Sequence, residues 1–219
     1  MSISERFIER RTVEVALRDG TKIRLRPITP EDKDALVDGF RRMSPESRYR
    51  RFMGAVDHLT AEQLRYLTEL DYVDHYAVVA FALDTPGQPG IGVARYVRSS
   101  DEPTVAEAAV GVVDDYQGRG VGTLLLTALG AVALENGITR FRAYFFEENA
   151  PIKQLLDDLG ATFTVVNGEP VAEVDLPARA DELKGTPLYG LFRAVARGEV
   201  GGWRHALRSI LGLRDPSPD

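Results

Sequence analysis

The stretch Asp114-Asp115-Tyr116-Gln117-Gly118-Arg119-Gly120-Val121-Gly122-Thr123 decides how the rest of the chain is read. Glycines alternate at 118, 120 and 122, between an apolar run ending at Val113 and a segment with Val121, Leu125, Ala128, Leu129 and Val132 at helical spacing. Such glycines leave the main-chain N–H groups of a helix start uncovered by side chains, and first-turn amides have no acceptor within the helix. With the helix dipole they form a place for an anion, and a pyrophosphate is the natural guest. Arg119 offers a further charge-assisted bond. The same glycines also suit a plain strand-to-helix turn without a ligand. Two other phosphate loops are excluded. A Walker loop needs Gly-Lys-Ser or Gly-Lys-Thr, which does not occur, and the two-and-two glycine spacing is not the G-x-G-x-x-G of dinucleotide folds.

Working upstream, Thr104–Asp114 reads as a strand, almost wholly apolar over Ala108–Val113 as for the middle of a sheet covered on both faces. Gly111 inside it marks a bulge or a close approach. Tyr76–Leu83 and Ile91–Arg98 flank a turn-rich segment and predict a hairpin. Val13–Leu17 and Lys22–Arg26 predict another, turning at Asp19-Gly20. Between the hairpins three helices are expected. Thr29, Pro30, Glu31 and Asp32 open the first, which carries Leu36, Val37 and Phe40; the second covers Glu46–Phe52; Thr60 caps the third, with Leu64, Leu67 and Leu70 behind it.

Working downstream, the helix from Gly120 stops at Asn136-Gly137, a C-terminal cap signal. Thr139–Phe146 is a strand, Ala150–Leu159 a helix ended by Gly160, and Thr162–Val166 and Val171–Leu176 a closing strand pair. This order is α/β, an α+β mixed sheet with helices on its faces. Beyond Pro177 two amphipathic segments follow, one with Leu188, Leu191, Phe192 and Val195, the other with Trp203, Leu207, Ile210 and Leu211, and then a disordered end. Residues 12–176 are expected to form one domain, and 177–219 a helical C-terminal extension that packs on the body or forms a homodimer contact.

The 219 residues carry 27 Lys+Arg against 33 Asp+Glu, a net charge of −6, and are 44% hydrophobic, enough for a packed core. Without cysteine there is no disulfide, thiolate nucleophile or Cys-ligated metal. His58, His75 and His205 show no metal-ligand spacing, so no metal is expected. The acidic balance argues against a nucleic-acid partner. The lack of a long apolar run or a signal-like start argues against a membrane and for a cytoplasmic location.

Gln117-x-x-Gly120-x-Gly122 after an apolar strand, with Leu124-Leu125-Leu126 behind it, resembles the (R/Q)-x-x-G-x-(G/A) acyl-CoA loop of the GNAT N-acetyltransferase superfamily. Phe141–Phe146, Asn149 and the helix ending Leu159-Gly160 are similar to that superfamily's second CoA-contacting block. The likeness spans about residues 12 to 176. Within the superfamily, Ser44–Phe52, Leu70-Asp71-Tyr72 with His75, Gly92–Tyr96 and Ala106–Gln117 resemble the acetyltransferase domain of bacterial protein lysine acetyltransferases. Some members carry a preceding cyclic-nucleotide-binding domain; none is expected before residue 12, nor is control by a cyclic nucleotide.

The resemblance implies a GNAT acyl-CoA N-acyltransferase fold and acetyl-CoA as co-substrate, with no metal. It implies a CoA site of Val112, Val113, Gln117, Gly118, Arg119, Gly120, Val121, Gly122, Thr123 and Asn149. A strand N–H near Val112 or Val113 faces the thioester oxygen. Glu107 matches the glutamate assigned as base in the lysine-acetylating relatives, and a base is useful because a lysine of pKa near 10.4 is almost wholly protonated at neutral pH. Alanines 106, 108 and 109 are expected to shield it partly from water. Glu102 is the alternative carboxylate. The tyrosine that many members place four residues before the glycine ending the penultimate helix is Leu156 here, so the acid for the thiolate is unassigned. With no cysteine to hold an acyl group, direct attack in a ternary complex is favoured.

Arg41, Arg42, Arg48, Arg50 and Arg51 form a basic cluster, read as a solvated face or as a docking patch for an acidic protein or a nucleotide phosphate. Asp71, Tyr72 and His75 are candidates for an acceptor cleft, or structural. The expected activity is acetylation of a protein lysine; the alternatives are transfer to a small-molecule amine and a non-catalytic acyl-CoA sensor.

Overall fold

The computed structural model describes residues 5–176. In chain order its elements are α1 (Glu5–Arg10), β1 (Val13–Ala16), β2 (Lys22–Pro27), α2 (Lys33–Arg41), α3 (Pro45–Phe52), α4 (Ala61–Thr68), β3 (His75–Ala82), β4 (Gly90–Arg98), β5 (Val105–Val112), α5 (Val121–Glu135), β6 (Arg140–Tyr144), α6 (Ala150–Asp158), β7 (Thr162–Val166) and β8 (Glu169–Asp175). The expected order of strands and helices holds, with ends shifted by a residue or two. Asp114, expected to finish a strand, instead opens a single 3-10 turn, Asp114–Tyr116, and Pro30–Asp32 forms another before α2. Helix α1 had no counterpart in the sequence reading: six residues are too few for a periodic signal. The expected C-terminal helices, homodimer contact and disordered end lie outside the described residues.

One eight-stranded sheet runs in the order β1-β2-β3-β4-β5-β6-β8-β7. Strands β1 to β5 form an antiparallel meander, β5 and β6 are parallel neighbours, and β8 lies antiparallel between β6 and β7. A parallel pair needs a crossover, and α5 supplies it. Its residues are almost all buried from Val121 to Ala133, and no charge interrupts them until Glu135. A helix apolar on every side belongs inside the molecule. It covers one sheet face, where Val78, Ala80, Ala94, Tyr96, Ala106 and Ala108 meet Leu125, Leu129 and Val132. The opposite face carries a smaller cluster of Ile28, Ala77 and Val79 under Leu36 of α2.

Candidate active site

Strands β5 and β6 pair only at Val105–Arg140, Ala106–Phe141 and Glu107–Arg142; beyond this β5 continues along β4 to Val112 while β6 stays with β8. Ser99 N–H donates to the Val105 carbonyl and Val113 N–H to the Ile91 carbonyl, both at 2.9 Å. Antiparallel pairing alternates, so the odd-numbered residues of β5 bond to β4, and Ala108, Val110 and Val112 turn their main-chain groups towards the gap. The gap therefore opens one residue after Glu107. Gly111 is not a bulge, since the β4 register runs unbroken through it. It is a close approach: a Cβ there would lie 3.1 Å from Cδ of Arg51. Ala108–Val113 is accordingly covered less evenly than its apolar composition suggested, with residues 109 to 112 only half-buried. Of the two expected main-chain donors, the Val113 N–H is committed to β4, and Val112 faces the gap.

At the end of β5 the glycine loop leads into α5. Gly118 and Gly120 have φ of +69° and +87°, and a Cβ on either would meet nothing within 4 Å. Gly120 is the N-cap and offers no side-chain acceptor, so the first-turn N–H groups of Val121, Gly122 and Thr123 stay open. Gly122 serves a different end: its Cβ would lie 3.3 Å from Leu155 Cδ2, so its lack of a side chain brings α6 against α5. Gln117 Nε2 donates to the Val112 carbonyl at 3.0 Å, to Ser47 Oγ at 3.2 Å and to Asp114 Oδ1 at 3.3 Å, tying the loop to β5 and α3. Arg119 Nε donates to Asp19 Oδ2 at 2.7 Å, a second guanidinium N–H reaches the Thr21 hydroxyl, and the guanidinium lies 4.8 Å from the Tyr116 ring centroid. Its side chain is thus engaged by the β1–β2 turn, and what it presents to the loop is its main-chain N–H. Asn149 caps α6, its Oδ1 accepting from Ile152 N–H at 3.4 Å.

The odd residues of β5 lie on the face covered by α2, α3 and α4. Glu107 is exposed there, while Ala106 and Ala108 point to the other face and are buried. The expected shielding by these alanines is therefore absent. Glu102 forms an ion pair with Arg142 at 3.0 Å. Tyr49 of α3 stacks on Phe146, with ring centroids 5.0 Å apart and planes 8° from parallel, so α3 reaches from β5 to the end of β6. Leu156 is buried in the main core.

Much of the basic cluster is internal. Arg42 pairs with Asp38 at 2.9 Å and donates to the Gly90 carbonyl; Arg48 donates to the Phe40 and Arg41 carbonyls at 3.0 Å; Arg50 pairs with Glu46. These bonds brace α2 and α3. The three candidates for the acceptor cleft also hold structure: Asp71 Oδ1 accepts from the N–H groups of Val73, Asp74 and His75, and the Tyr72 hydroxyl donates to the Ile28 carbonyl at 2.9 Å. His75 Nε2 lies 3.0 Å from an Arg95 guanidinium nitrogen. Burial, helped by Arg95 and opposed by Asp71, lowers the His75 pKa to about 4, so the ring is neutral. Among the described residues no group of three His, Asp or Glu could hold a metal ion, and no helix is long and apolar enough to cross a membrane.

Two parallel strands that part at a carboxylate, with a glycine-capped helix start at the end of one, form a cleft lined by open main-chain groups. Residues 22–162 match the acetyltransferase (GNAT) domain family, and the chain belongs to it. It is an acyltransferase. It is 39% identical over 168 residues to acetyltransferase Pat of Mycolicibacterium smegmatis, a match covering 75% of this chain and 49% of that protein, so the chain spans about half of that relative's length. It is 30% identical over 145 residues to acetyltransferase PA5475 of Pseudomonas aeruginosa, over 66% of this chain and 77% of that one. The GNAT domain of S. lividans PAT superposes with a TM-score of 0.71 at 33% identity, covering 80% of this chain and all of that one. A cAMP-binding acyltransferase from Mycobacterium smegmatis superposes with a TM-score of 0.57 at 32% identity, over 90% of this chain and 58% of that one.

Proposed function

We propose that this enzyme transfers the acetyl group of acetyl-CoA to a lysine side chain of a protein, by direct attack in a ternary complex in the cytoplasm. The observation that carries the reading is the parting of β5 from β6 immediately after Glu107, which sets a carboxylate, a run of open main-chain groups and a helix start along one cleft. The resemblance of Ser44–Phe52, Gly92–Tyr96 and Ala106–Gln117 to bacterial protein lysine acetyltransferases, together with similarity to acetyltransferase Pat, supports the choice of a protein acceptor.

In this reading the N–H groups of Gly118, Arg119, Gly120, Val121, Gly122 and Thr123 hold the pyrophosphate, Gln117, whose own N–H is bonded to the Asp114 carbonyl, positions the loop through its side chain, and Asn149 at the head of α6 contacts the CoA arm. Val113 fixes the strand end to β4, which leaves the Val112 N–H to face the thioester oxygen. Glu107 takes a proton from the ammonium of the acceptor, since only the free amine is nucleophilic. The amine nitrogen bonds to the thioester carbon, negative charge grows on the carbonyl oxygen opposite the strand N–H, the C–S bond breaks, and the nitrogen releases its second proton to water to leave the amide. A thiol pKa near 8.5 lets the sulfur leave as thiolate, which then takes a proton from water.

The test is incubation of the purified chain with radiolabelled acetyl-CoA and either bacterial proteins or a panel of small amines. Label on discrete protein bands that is lost in Glu107→Gln supports the proposal. Label confined to small amines assigns the acceptor to them instead, and CoA binding without any transfer refutes catalysis.

A further inference from the structure

The face that carries Glu107 also holds a cavity between the α2–α4 layer and strands β3 to β5. Leu36, Phe40, Leu67 and Val93 give it an apolar lining, and Arg51 and Arg95 stand in its wall. Apolar residues surround two cations here, an arrangement that needs compensation.

Arg95 is only 6% exposed. Its guanidinium reaches His75 Nε2 at 3.0 Å and donates to the Leu67 carbonyl at 2.9 Å, both neutral partners, while its Nε has no partner among the described residues. Neither Arg51 nor Arg95 forms an ion pair with a described carboxylate. Asp32, the one carboxylate in the lining, is held by Arg26 through two bonds of 2.6 and 2.7 Å. Burial pulls the pKa of Arg95 down to about 9, and the positive charge of Arg51 adds to the fall. Arg51 is lowered by burial as well, with Glu107 and Tyr66 opposing. Arg95 is thus charged at neutral pH without a carboxylate partner among the described residues, and Arg51 feels the charge of Glu107 without forming an ion pair with it.

The cavity and the base share one face. Arg95 stands opposite Ala109, two residues along β5 from Glu107, a separation of about 7 Å along the strand. We propose that this cavity receives a carboxylate of the acceptor, so that the preferred substrates are amines bearing a carboxylate several bonds from the reacting nitrogen, the carboxylate held by Arg51 and Arg95. The amine then lies towards Glu107, which rests on the reading of Glu107 as base. A free amino acid with a terminal side-chain amine and a lysine peptide with a nearby acidic group share this chemistry.

The experiment compares matched acceptors: 6-aminohexanoate against its amide, and a lysine peptide with a free terminal carboxylate or acidic neighbour against its neutral, amidated twin. In the wild type, kcat/KM is expected to favour the carboxylate member of a pair by about tenfold or more, as for charge-assisted bonds in a dry site. In Arg51→Gln the ratio falls to about one. Arg51→Met, which keeps the stem against Gly111, serves if the first variant does not fold. The pair that shows the preference identifies the carrier, and equal turnover within both pairs overturns the proposal. A second readout needs no transfer and separates this subsite from the role of Glu107. Glutarate should raise the melting temperature of the wild type and not of the Arg51 variant. No rise with glutarate, or a rise with inorganic phosphate alone, overturns the carboxylate assignment whether or not the transfer assay succeeds.

Discussion

Arg119 and Asp19, one hundred residues apart, are joined at 2.7 Å, and this bond fastens the glycine loop to the turn of the first hairpin. The loop can present its amides in one arrangement only if something holds its middle. Asp19→Ala is expected to weaken acetyl-CoA binding about threefold to tenfold with little change in kcat, as measured by calorimetry and steady-state kinetics. Because the pair is exposed, melting should report a loss of under about 1 kcal/mol. Arg119→Ala added to Asp19→Ala should bring little further loss of affinity, since the two act through one contact.

Gly120 is held at φ +87° with open space where a Cβ would point. Gly120→Ala therefore meets backbone strain and no clash, and should cost about 1–2 kcal/mol of stability. It should also raise the Kd for CoA by about tenfold through displacement of the amides beside it. Unchanged CoA affinity in a folded variant would remove the loop from the binding site.

Replacing Glu107 by Gln should lower kcat by about 10²–10⁴, the usual contribution of a general base, with CoA affinity unaltered. The residual rate should climb about tenfold per pH unit until the pH passes the amine pKa near 10.4, because the free amine becomes abundant without help. A variant whose rate is flat from pH 7 to 10 would argue that Glu107 serves in some other way.

His75 makes a separate prediction about stability. Its folded pKa is about 4, against 6.5 for an ordinary imidazole, so the unfolded chain binds the proton more readily. The contribution of the neutral ring is complete above pH 6.5 and is lost as the pH falls from 6.5 towards 4. Denaturant melts across that window should show declining stability, flattened in His75→Gln. In NMR the ring should stay neutral to about pH 4.

Most of the fold was legible because its signals are local. The spacing of Val121, Leu125, Leu129 and Val132 marks α5, Asp19-Gly20 marks the first hairpin, and Asn136-Gly137 ends the helix. The glycine loop was legible for the same reason. The cleft was not, because it depends on where β5 parts from β6, two strands more than 30 residues apart, and nothing in Ala108–Val113 announces that β6 leaves after Glu107. Gly111 was legible as a bulge or a close approach, but the sequence does not choose between them or show that Arg51 is what lies over it. Arg119 looked like a phosphate ligand because its partners, Asp19 and Thr21, lie on a distant turn. The orphaned cation at Arg95 was equally hidden, since a missing partner becomes visible only when every neighbour is in place.

The run Ala108 to Val112 is a strand edge situated inside a sheet. On a protein's outer rim such an edge recruits other chains and invites aggregation. Here the Tyr49–Phe146 stack ties α3 to the segment after β6, and the inner edge offers its amides to a slender chain that carries amides of its own. On the proposed function the pantetheine portion of CoA is that chain, adding to the sheet as a ninth strand made of a different polymer. The acetyl donor is then a structural member of the enzyme as well as its reagent, and the donor complex should unfold later than any complex with an acceptor alone.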